Sequence, residues 1–568
     1  MKQTYDLIVL GAGAAGLAAA CTAAVEGRRV LLLEHTDRVG GTTAISGGMV
    51  WVPANDKMDA VGIDDSLDNA AAYLAQLVPG SANDVRMQTF LREGPETIRY
   101  LETNTSLKLQ PVRRYPDYYP ALAGATPGAR VLEPVPFDGR ELGADFALLR
   151  DPLPEFMLFG GMMISREDIP KLRRAGRSPA AALYVLKLIG RYAFQRLRTH
   201  RGTTLVLGNA LAARLFKSAR ELGVDIALNT EVRSLNHDGH RVTGVQAVIN
   251  GNSQSIVSKG GVILATGGLS HDAQLRSRFV PSTAEPVSAV RRSGAEKGGV
   301  RLALELDAAL SPVCTSVEDA RAFWVPVSRW TRRDGSSALF PHTVTDRAKP
   351  GLIAVNRQGK RFVNEALSYH EFGRAQLREE NDANPAWLIC DSRFLWKYGL
   401  GRIRPFAWST RQERTDGYLK KAQSIEELAS LINVPVDALN ATVQDFNAGA
   451  RRGRDFEFER GGDIYQRHLG DGDHQPNPCV APIERAPFYA VQVVPADLGM
   501  AAGLLTDEHT RVLREDGSPI EGLYACGNDM HSIMEGAYPG PGITLGPALV
   551  FGVKAARQAL KNIPTNDG

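Results

Sequence analysis

Cysteine, net charge and long apolar runs are all scarce in this chain. Its 568 residues hold 5 scattered cysteines with no Cys-x-x-Cys spacing, which argues against a disulfide framework and a zinc site. The net charge of +3 gives no electrostatic reason to expect a nucleic acid partner. No apolar run reaches the roughly 18 residues that a membrane-spanning helix needs. The run Leu7–Leu10 stops at Gly11, too early for a secretory signal, so we expect a cytoplasmic protein without a metal.

A dinucleotide-binding pattern is present in the first fifty residues. The stretch "YDLIVLGAGAAGLAAACTAAVEGRRVLLLEH" predicts a strand at Leu7–Leu10, a helix at Ala14–Val25 and a strand at Arg29–Leu33. Between the first strand and the helix, three glycines have GxGxxG spacing, which lets a backbone approach a pyrophosphate at a helix N-terminus. Glu34 ends the second strand, where an acid accepts the ribose hydroxyls.

Further Gly-rich segments indicate that the dinucleotide is FAD. "RVGGTTAISGGMVW", "GVILATGGLS" and "GLYACGND" are widely separated, as in the glutathione-reductase-like flavoproteins that they resemble, and a second GxGxxG unit for a nicotinamide is missing. Arg38–Trp51 contains no histidine, where covalently flavinylated relatives carry one, so we expect noncovalent FAD. The predicted cofactor residues are Gly11, Gly13, Ala14, Ala15, Gly16, Glu34, His35, Gly40, Gly41, Thr42, Thr43, Ser46, Gly47, Gly48, Val232, Ala265, Thr266, Gly267, Gly268, Gly527, Asn528, Thr544 and Leu545.

The fold class expected is α/β, with a discontinuous Rossmann-like FAD-binding domain and an inserted α+β substrate domain. The FAD-binding domain comprises residues 1–110, 201–320 and 491–568. Residues 321–490 form the catalytic domain, with a strand at Leu352–Val355 and a helix at Ile425–Ile432. Residues 111–200 are an insertion that carries a tyrosine segment and a basic amphipathic helix.

That helix is predicted from Ser178, as N-cap, to Arg198. One face is basic and the other is apolar; the basic positions are Lys187, Arg191 and Arg198, and the apolar ones are Leu186, Ile189, Ala193 and Leu197. Two interpretations stay open. The helix either docks on the flavin domain as an ordinary surface helix, or lies at a membrane surface, as basic amphipathic segments do. The second places the protein peripherally at the inner face of a membrane.

Motifs along nearly the whole chain resemble one family. "YDLIVLGAGAAG", "GGTTAISGGMVWVP", "GKRFVNEALSYHEF", "PFYAVQVVPADLG", "GLYACGN" and "YPGPGITLGPALVFG" look like the 3-ketosteroid Δ1-dehydrogenases, which belong to the wider fumarate-reductase-like flavoproteins. The middle insertion, about residues 140–200, lies outside the resemblance. The flavin motifs are shared by many relatives, whereas the tyrosine-bearing motifs are more specific to ketone substrates.

The resemblance implies that three tyrosines and one backbone amide line a ketone pocket. Tyr538 and the amide of Gly542 would hold the ketone oxygen as it becomes an enolate. Tyr369, after "RFVNEA", would take the α-proton with help from Tyr118 of "PDYYP", where neighbouring Tyr119 is a second candidate. The flavin N5 would accept hydride from the β-carbon, and an external acceptor such as a quinone would reoxidise the flavin.

Three departures from the family weaken the steroid assignment and leave the reaction type intact. They are Pro539 in the "AYPGPG" turn, "TPGAR" at Thr126–Arg130, and the basic segment His342–Gly351, which could meet a carboxylate. The sequence therefore predicts 1,2-dehydrogenation of a hydrophobic cyclic ketone, with a 3-ketosteroid preferred and a smaller cyclohexanone-type ring as the alternative. A fumarate-reductase-like enzyme and a non-catalytic flavin redox module are weaker alternatives.

Overall fold

The computed structural model describes residues 3–176, 178–290, 297–314, 316–332, 334–344, 346–561 and 563. It confirms the α/β class expected from the sequence. The strands are β1 (Thr4–Tyr5), β2 (Leu7–Leu10), β3 (Val30–Leu33), β4 (Val50–Trp51), β5 (Leu109–Pro111), β6 (Val131–Pro134), β7 (Phe137–Asp138), β8 (Thr204–Leu205), β9 (Asp225–Ala227), β10 (Thr230–His237), β11 (Val242–Ile249), β12 (Asn252–Ser258), β13 (Val262–Leu264), β14 (Ala322–Thr331), β15 (Ser337–Pro341), β16 (Leu352–Val355), β17 (Ala386–Asp391), β18 (Leu419–Ala422), β19 (Phe488–Met500), β20 (Arg511–Leu513) and β21 (Pro519–Ala525).

The α-helices connect these strands and cover the sheets. They are α1 (Ala14–Val25), α2 (Leu67–Ala75), α3 (Val85–Asn104), α4 (Asp168–Arg174), α5 (Pro179–Arg196), α6 (Leu207–Glu221), α7 (Ala273–Arg276), α8 (Gly299–Leu304), α9 (Tyr369–Leu377), α10 (Ser392–Tyr398), α11 (Arg411–Thr415), α12 (Ile425–Ile432), α13 (Val436–Ala450), α14 (Ile464–Leu469) and α15 (Leu545–Leu560). Shorter 3₁₀ turns, such as the one at Gly527–Asp529, join some of the strands and helices.

Segments far apart in the chain form one mainly parallel sheet. Its strand order is β20-β21-β13-β2-β3-β9, and neighbours from β21 to β9 run parallel. The run "LIVL" of β2 is buried throughout, as a strand covered on both faces requires. Helix α1 leaves β2 through the glycine turn and packs against α15. The carboxyl end of β2 therefore opens onto the glycine turn, the edge where such sheets bind ligands.

Most elements predicted from the sequence are confirmed. The strands Leu7–Leu10 and Leu352–Val355 and the helices Ala14–Val25 and Ile425–Ile432 have the predicted bounds. One strand is a residue shorter than expected, because β3 starts at Val30 and not at Arg29. Single-residue differences of this kind are usual at element ends.

A second, antiparallel sheet carries the segment that was predicted to be catalytic. Its order is β15-β14-β19-β17-β16, and β18 also pairs with β19. The central strand β19 runs across the predicted domain boundary between residues 490 and 491. The division of the chain into domains stays a prediction.

A small sheet brings the tyrosine segment to the flavin motifs. Strand β6 pairs with β4 on one side and with β5 on the other. The loop between β5 and β6, which contains "PDYYP", consequently lies beside Trp51 at the end of the Gly-rich loop. This pairing places two distant motifs in one site.

The predicted amphipathic helix is α5, with the Ser178 hydroxyl accepting from the Ala181 amide at 3.4 Å. Its apolar side chains mostly face outward: Leu183, Leu186, Phe194 and Leu197 are between 61% and 78% exposed. The interpretation that the predicted apolar face packs on the flavin domain is therefore wrong for Leu186 and Leu197, because both side chains are exposed. The helix rests instead on Leu188 and Tyr192, which are buried, and the Tyr192 hydroxyl donates to the Phe159 carbonyl at 2.9 Å. Within the part of the chain that the structure describes, every helix is too short or too polar to span a bilayer.

Candidate active site

Two of the predicted tyrosines touch directly. The Tyr369 hydroxyl donates to the Tyr538 hydroxyl at 2.8 Å, and the two rings meet edge to face with centroids 5.2 Å apart. Tyr369 is the first residue of α9, and Tyr538 lies in the Gly/Pro turn that leads into α15. Both side chains are buried.

The structure places Tyr118, and not Tyr119, in this cluster. The Tyr118 ring stacks on Tyr538 at 5.6 Å and meets Tyr369 edge to face at 5.8 Å. Its buried hydroxyl has no hydrogen bond of ordinary geometry to any described residue. The Tyr119 hydroxyl instead donates to Glu371 at 2.8 Å, which directs that side chain elsewhere. Tyr118 is thus the tyrosine of "PDYYP" that lies beside the other two.

Gly542 is required by the backbone itself. Its φ is +101°, and an added Cβ would lie 2.6–2.7 Å from backbone atoms of Met49 and Trp51. The sequence analysis did not anticipate this close approach between the Gly-rich loop and the Gly/Pro turn. The Gly542 carbonyl accepts from the Trp51 amide at 3.1 Å, while its own amide donates to no described residue. An unused N–H therefore lies four residues after Tyr538.

Asp117 and Arg130 fix the position of the tyrosine loop. One Asp117 carboxylate oxygen accepts from the Trp51 indole at 2.9 Å, and the other from Arg130 at 2.8 Å. Arg130 also pairs with Asp65 at 2.6 Å, and all three ionic side chains are almost fully buried. The Tyr118 amide donates to the Pro539 carbonyl at 2.9 Å, which ties the loop to the Gly/Pro turn. The sequence analysis quoted Asp117 within "PDYYP" and did not recognise this function.

Burial raises the pKa of every phenol in the cluster. For Tyr538 it raises the pKa to about 12, and for Tyr369 burial and then the neighbouring Tyr538 raise the pKa well above its usual value. Burial raises the pKa of Tyr118 in the same way. These tyrosines are therefore neutral at neutral pH in the resting protein. A buried neighbour, His370, is neutral too, since burial lowers its pKa to about 4.

The glycine turn has the geometry of a phosphate cradle. Gly11 has a φ of +102°, and a Cβ there would lie 2.3 Å from the Ala265 carbonyl oxygen. A Cβ on Gly16 would lie 1.9 Å from the Gly11 carbonyl oxygen. At Gly13 the space is open, since the nearest atom to an added Cβ is the Thr43 hydroxyl at 3.8 Å. Of the three glycines in this turn, only Gly13 therefore faces free space, as a contact with a pyrophosphate requires.

The Gly-rich loop 40–48 closes over this turn. The Gly40 amide donates to the Ala12 carbonyl at 2.9 Å, and the Thr43 hydroxyl accepts from the Ala14 amide at 3.1 Å. A Cβ on Gly48 would collide with the backbone of Gly208 at 2.4 Å. The remaining predicted residues of this region lie in the same loop or the first turn of α1, namely Ala15, Gly41, Thr42, Ser46 and Gly47.

Glu34, His35 and Val232 meet at the other end of the cradle. Glu34 accepts from the amides of Ala12 and Thr36, each at 2.9 Å, and its carbonyl accepts from Thr230 at the start of β10. Val232 follows on that strand. The buried Nδ1 of His35 has no partner among the described residues. A buried ring nitrogen of His35 without a partner, next to a Glu34 carboxylate that can accept further hydrogen bonds, fits the ribose end of a dinucleotide.

Asp529 holds the third side of the cradle. Its buried carboxylate accepts from the Thr266 hydroxyl at 2.9 Å and from the Gly268 amide at 2.8 Å. A Cβ on Gly268 would lie 2.6 Å from the Asn528 carbonyl oxygen. The sequence analysis selected Thr266–Gly268 and Gly527–Asn528 and missed Asp529, which joins them.

A cavity lies beside several of the predicted cofactor residues. Its lining includes Gly527, Asn528, Ile543 and Thr544, the residue before α15, together with Phe323. The Phe323 ring meets the Tyr538 ring edge to face at 5.4 Å. The predicted cofactor residues thus converge from three parts of the chain on one side of the tyrosine cluster, and the residues present fit FAD.

The basic segment His342–Gly351 is directed inward. His342 bonds Asp346 at 2.6 Å and the Ser328 hydroxyl at 2.9 Å. Arg347 and Lys349 donate to backbone carbonyls, with Lys349 reaching those of Leu469 and Gly470. The described part of this segment therefore holds its cations on internal groups.

Comparisons with known proteins show relatives that match nearly the whole chain. A family model described as an FAD binding domain matches residues 6–545. The 4-oxocyclohex-2-ene-1-carboxylate 5-dehydrogenase of Sinomonas cyclohexanicum is 37% identical over 98% of this chain and 94% of its own. The 3-oxosteroid 1-dehydrogenase of Mycolicibacterium smegmatis is 36% identical over 98% of this chain and 97% of its own.

One solved structure covers nearly the whole fold. The 3-ketosteroid Δ1-dehydrogenase of Sterolibacterium denitrificans, in complex with 1,4-androstadiene-3,17-dione, is 36% identical with a TM-score of 0.89. The match covers 98% of this chain and 99% of that one. These findings confirm the resemblance seen in the sequence, the FAD cofactor and an oxidoreductase activity. The chain belongs to the family of FAD-dependent oxidoreductases that contains the 3-oxosteroid 1-dehydrogenases.

Proposed function

We propose that this protein introduces a carbon–carbon double bond next to the carbonyl of a cyclic ketone, with a 3-ketosteroid as the preferred substrate. The observation that carries the proposal is the hydrogen-bonded pair Tyr369–Tyr538 beside the unused amide of Gly542. Desaturation requires an oxyanion site, a base and a hydride acceptor in one pocket. The cluster supports the first two, and FAD, when bound, supplies the acceptor.

Tyr538 and Gly542 form the oxyanion site in this proposal. The hydrogen on a carbon beside a ketone becomes acidic enough to remove only when the oxygen is stabilised as an enolate. Tyr538 accepts from Tyr369 and so keeps its own proton free to donate to that oxygen. Two preorganised donors of this kind contribute several kcal/mol of transition-state stabilisation, on the order of a hundredfold or more per donor.

Tyr369 takes the α-proton, and Tyr118 assists it. The base has to be able to exchange its own proton, and the Tyr118 hydroxyl has no other partner of ordinary geometry among the described residues. FAD is held noncovalently, and an external acceptor such as a quinone reoxidises it. In each of these steps the protein holds the reacting groups in position and supplies the charges around them.

The environment of the basic segment supports an uncharged substrate. The basic residues of His342–Gly351 suggest a contact with a substrate carboxylate in the sequence alone, whereas in the structure Arg347 and Lys349 donate to backbone carbonyls. Relatives that are named 3-oxosteroid 1-dehydrogenases match nearly the whole chain, and the similar solved structure holds a steroid dienone. A 3-ketosteroid is therefore preferred.

A smaller ring ketone is the second candidate. One relative is named for a 4-oxocyclohexene carboxylate. The Arg166 guanidinium lies 4.9 Å from the centre of the Tyr115 ring, and it is only loosely paired with Glu133 at 3.6 Å. A cation so placed favours an acidic substituent on the ring.

A fumarate-reductase-like reaction needs cations that clamp two carboxylates, to which a cluster of tyrosines is not suited. A non-catalytic module has no need of an oxyanion site.

We also propose that α5 contacts an anionic membrane surface. Its outward stripe of Leu183, Leu186, Phe194 and Leu197 is flanked by exposed Lys187, Arg191 and Arg198. Apolar side chains that enter the headgroup region and cations that meet anionic lipid act together in such helices. A steroid, poorly soluble in water, would reach the pocket from the lipid.

Glu34→Ala is expected to weaken FAD retention, because the ribose loses its acceptor and the Ala12 amide loses its partner. The FAD-to-protein ratio after gel filtration measures this, and the released cofactor should be intact FAD. Glu231→Ala, at a half-buried carboxylate on β10 that pairs with Arg233 at 3.5 Å, is the control and should keep its FAD. Equal occupancy in wild type and Glu34→Ala would contradict the assignment.

Tyr538→Phe and Tyr369→Phe should differ kinetically. Tyr538→Phe removes one oxyanion donor, so flavin reduction by the ketone should slow by on the order of a hundredfold. Tyr369→Phe removes the base and should slow it by roughly 10²–10⁴-fold while the dienone product still binds. Stopped-flow flavin reduction and product titration measure both. Tyr119→Phe is the matched control and should reduce its flavin at close to the wild-type rate. A wild-type rate in Tyr369→Phe would place the base elsewhere.

Flotation with liposomes tests the membrane contact. The full chain should float with vesicles that contain anionic lipid, and less so at high salt, where the electrostatic attraction is screened. The double substitution of Leu186→Asp and Leu197→Asp should abolish flotation. Leu431→Asp, at a 46% exposed leucine on α12, should leave it unchanged. Flotation that survives the double substitution, or its absence from the wild-type protein, would refute the contact.

A further inference from the structure

The proposed base faces an electrostatic problem. Tyr369 and Tyr118 are buried, and burial opposes the negative charge that a phenol acquires when it exchanges its proton. Proton abstraction at Tyr369 therefore needs positive charge close by. The hydroxyls of Tyr115, Tyr118 and Tyr465 have no hydrogen bond of ordinary geometry to any described residue, so the cluster itself offers little stabilisation.

Arg347 is a buried cation without a carboxylate partner. Its guanidinium donates to the backbone carbonyls of His342, Thr343, Glu365 and Leu367, at 2.8–3.2 Å. The neighbouring Asp346 carboxylate bonds His342 and the backbone amide of Arg347, and it interacts with the Arg347 guanidinium through the electrostatic field, without a direct ion pair. No ion pair joins the Arg347 guanidinium to a carboxylate within the described ranges. A buried charge of this kind is costly to maintain unless it serves a purpose.

Two hydrogen bonds of Arg347 end on backbone carbonyls just before Tyr369. Glu365 and Leu367, two of its acceptors, lie just before α9, and Tyr369 is the first residue of that helix. Ser368 caps the helix by accepting from the Glu371 amide at 3.2 Å. The N-terminus of a helix carries a partial positive charge that favours an anion in the first turn. The Arg347 charge interacts with Tyr118, whose ring contacts Tyr369, so the cation and the helix end act on the same pair of phenols.

We infer that Arg347 is a positioning residue whose charge, together with the N-terminus of α9, stabilises the phenolate character of Tyr369 and Tyr118 during α-proton abstraction. Tyr369 first releases its own proton to water and becomes a phenolate. The step then moves one proton from the α-carbon to the phenolate oxygen, and the electron pair of the broken C–H bond goes into the enolate held by Tyr538 and Gly542. The inference rests on the proposed function and extends it to a residue that does not touch the substrate.

Several groups surround Tyr369 and share its electrostatics. Burial raises the pKa of Tyr465 and of Tyr115, and Arg347 opposes that rise at both. The titratable and charged groups that face the Tyr369–Tyr118 pair from the packed elements are Tyr115, Tyr465, Tyr538, His370, Glu371, Arg374 and Arg347. Glu371 is engaged by Arg374 and Tyr119, which leaves Arg347 as the cation without a carboxylate partner in this set.

Hydrogen exchange at the substrate isolates this proton step from redox chemistry. Holoenzyme with its flavin fully reduced cannot oxidise a ketone, yet it should still exchange the α-hydrogen of 4-androstene-3,17-dione with D₂O. Arg347→Met should slow this exchange at least a hundredfold at pH 7 and move its rise to higher pH. Arg347→Lys, which keeps the charge, should remain within tenfold of wild type. Binding of 1,4-androstadiene-3,17-dione should change by less than threefold in both.

Arg460→Met is the matched control. Arg460 is also a buried guanidinium that donates to backbone carbonyls, those of Leu352, Arg347 and Lys349, but it is paired with Glu365 at 3.2 Å. Its loss should lower stability and leave exchange per folded molecule within threefold of wild type.

The outcomes separate this inference from the proposed function. Wild-type exchange in folded Arg347→Met would overturn the inference alone. If that variant does not fold, the lysine variant decides, because a hundredfold loss in folded Arg347→Lys would show that carbonyl bonding and not charge is what matters. A wild-type enzyme that exchanges neither this ketone nor cyclohexanone would instead contradict the proposed function.

Discussion

The hydrogen bond between Tyr369 and Tyr538 joins residues 169 positions apart, and the rest of the site is arranged around it. One partner begins α9, which packs on strands β14 and β19 of the antiparallel sheet, and the other lies in the turn before α15. Two buried phenols are kept together only if the surrounding backbone is fixed. Asp117, Arg130 and Trp51 fix one side, and the close approach of Gly542 to Met49 fixes the other.

Neutral and charged side chains occupy different parts of the site. The phenols and His370 are neutral at rest, and the nearby Arg347 donates to backbone carbonyls. On the cofactor side, Asp529 and Glu34 hold the loops through their carboxylates. The cavity lined by Phe323 and Gly527 borders the cofactor side, and the Phe323 ring contacts Tyr538 of the tyrosine cluster.

Local patterns in the sequence predicted much of this arrangement. The buried run of β2 and the glycines that follow it predict the cradle, because they are consecutive in the chain. Asp529, Arg130 and Arg347 could not be predicted, since their function depends on partners that are distant in sequence and meet only in the fold. The orientation of α5 was also beyond prediction. An amphipathic pattern specifies an apolar face and does not say whether protein or lipid covers it.

Anaerobic titration of the oxidised protein with ketones tests the central claim most directly. The flavin absorbance should bleach with one equivalent of 4-androstene-3,17-dione, and mass spectrometry should show a product that is lighter by two hydrogens. Cyclohexanone and 4-oxocyclohexanecarboxylate, titrated in parallel, distinguish the steroid from the smaller-ring candidate, and succinate serves as the negative control. Bleaching by succinate, or by none of the ketones, would contradict ketone desaturation at the Tyr369–Tyr538 pair.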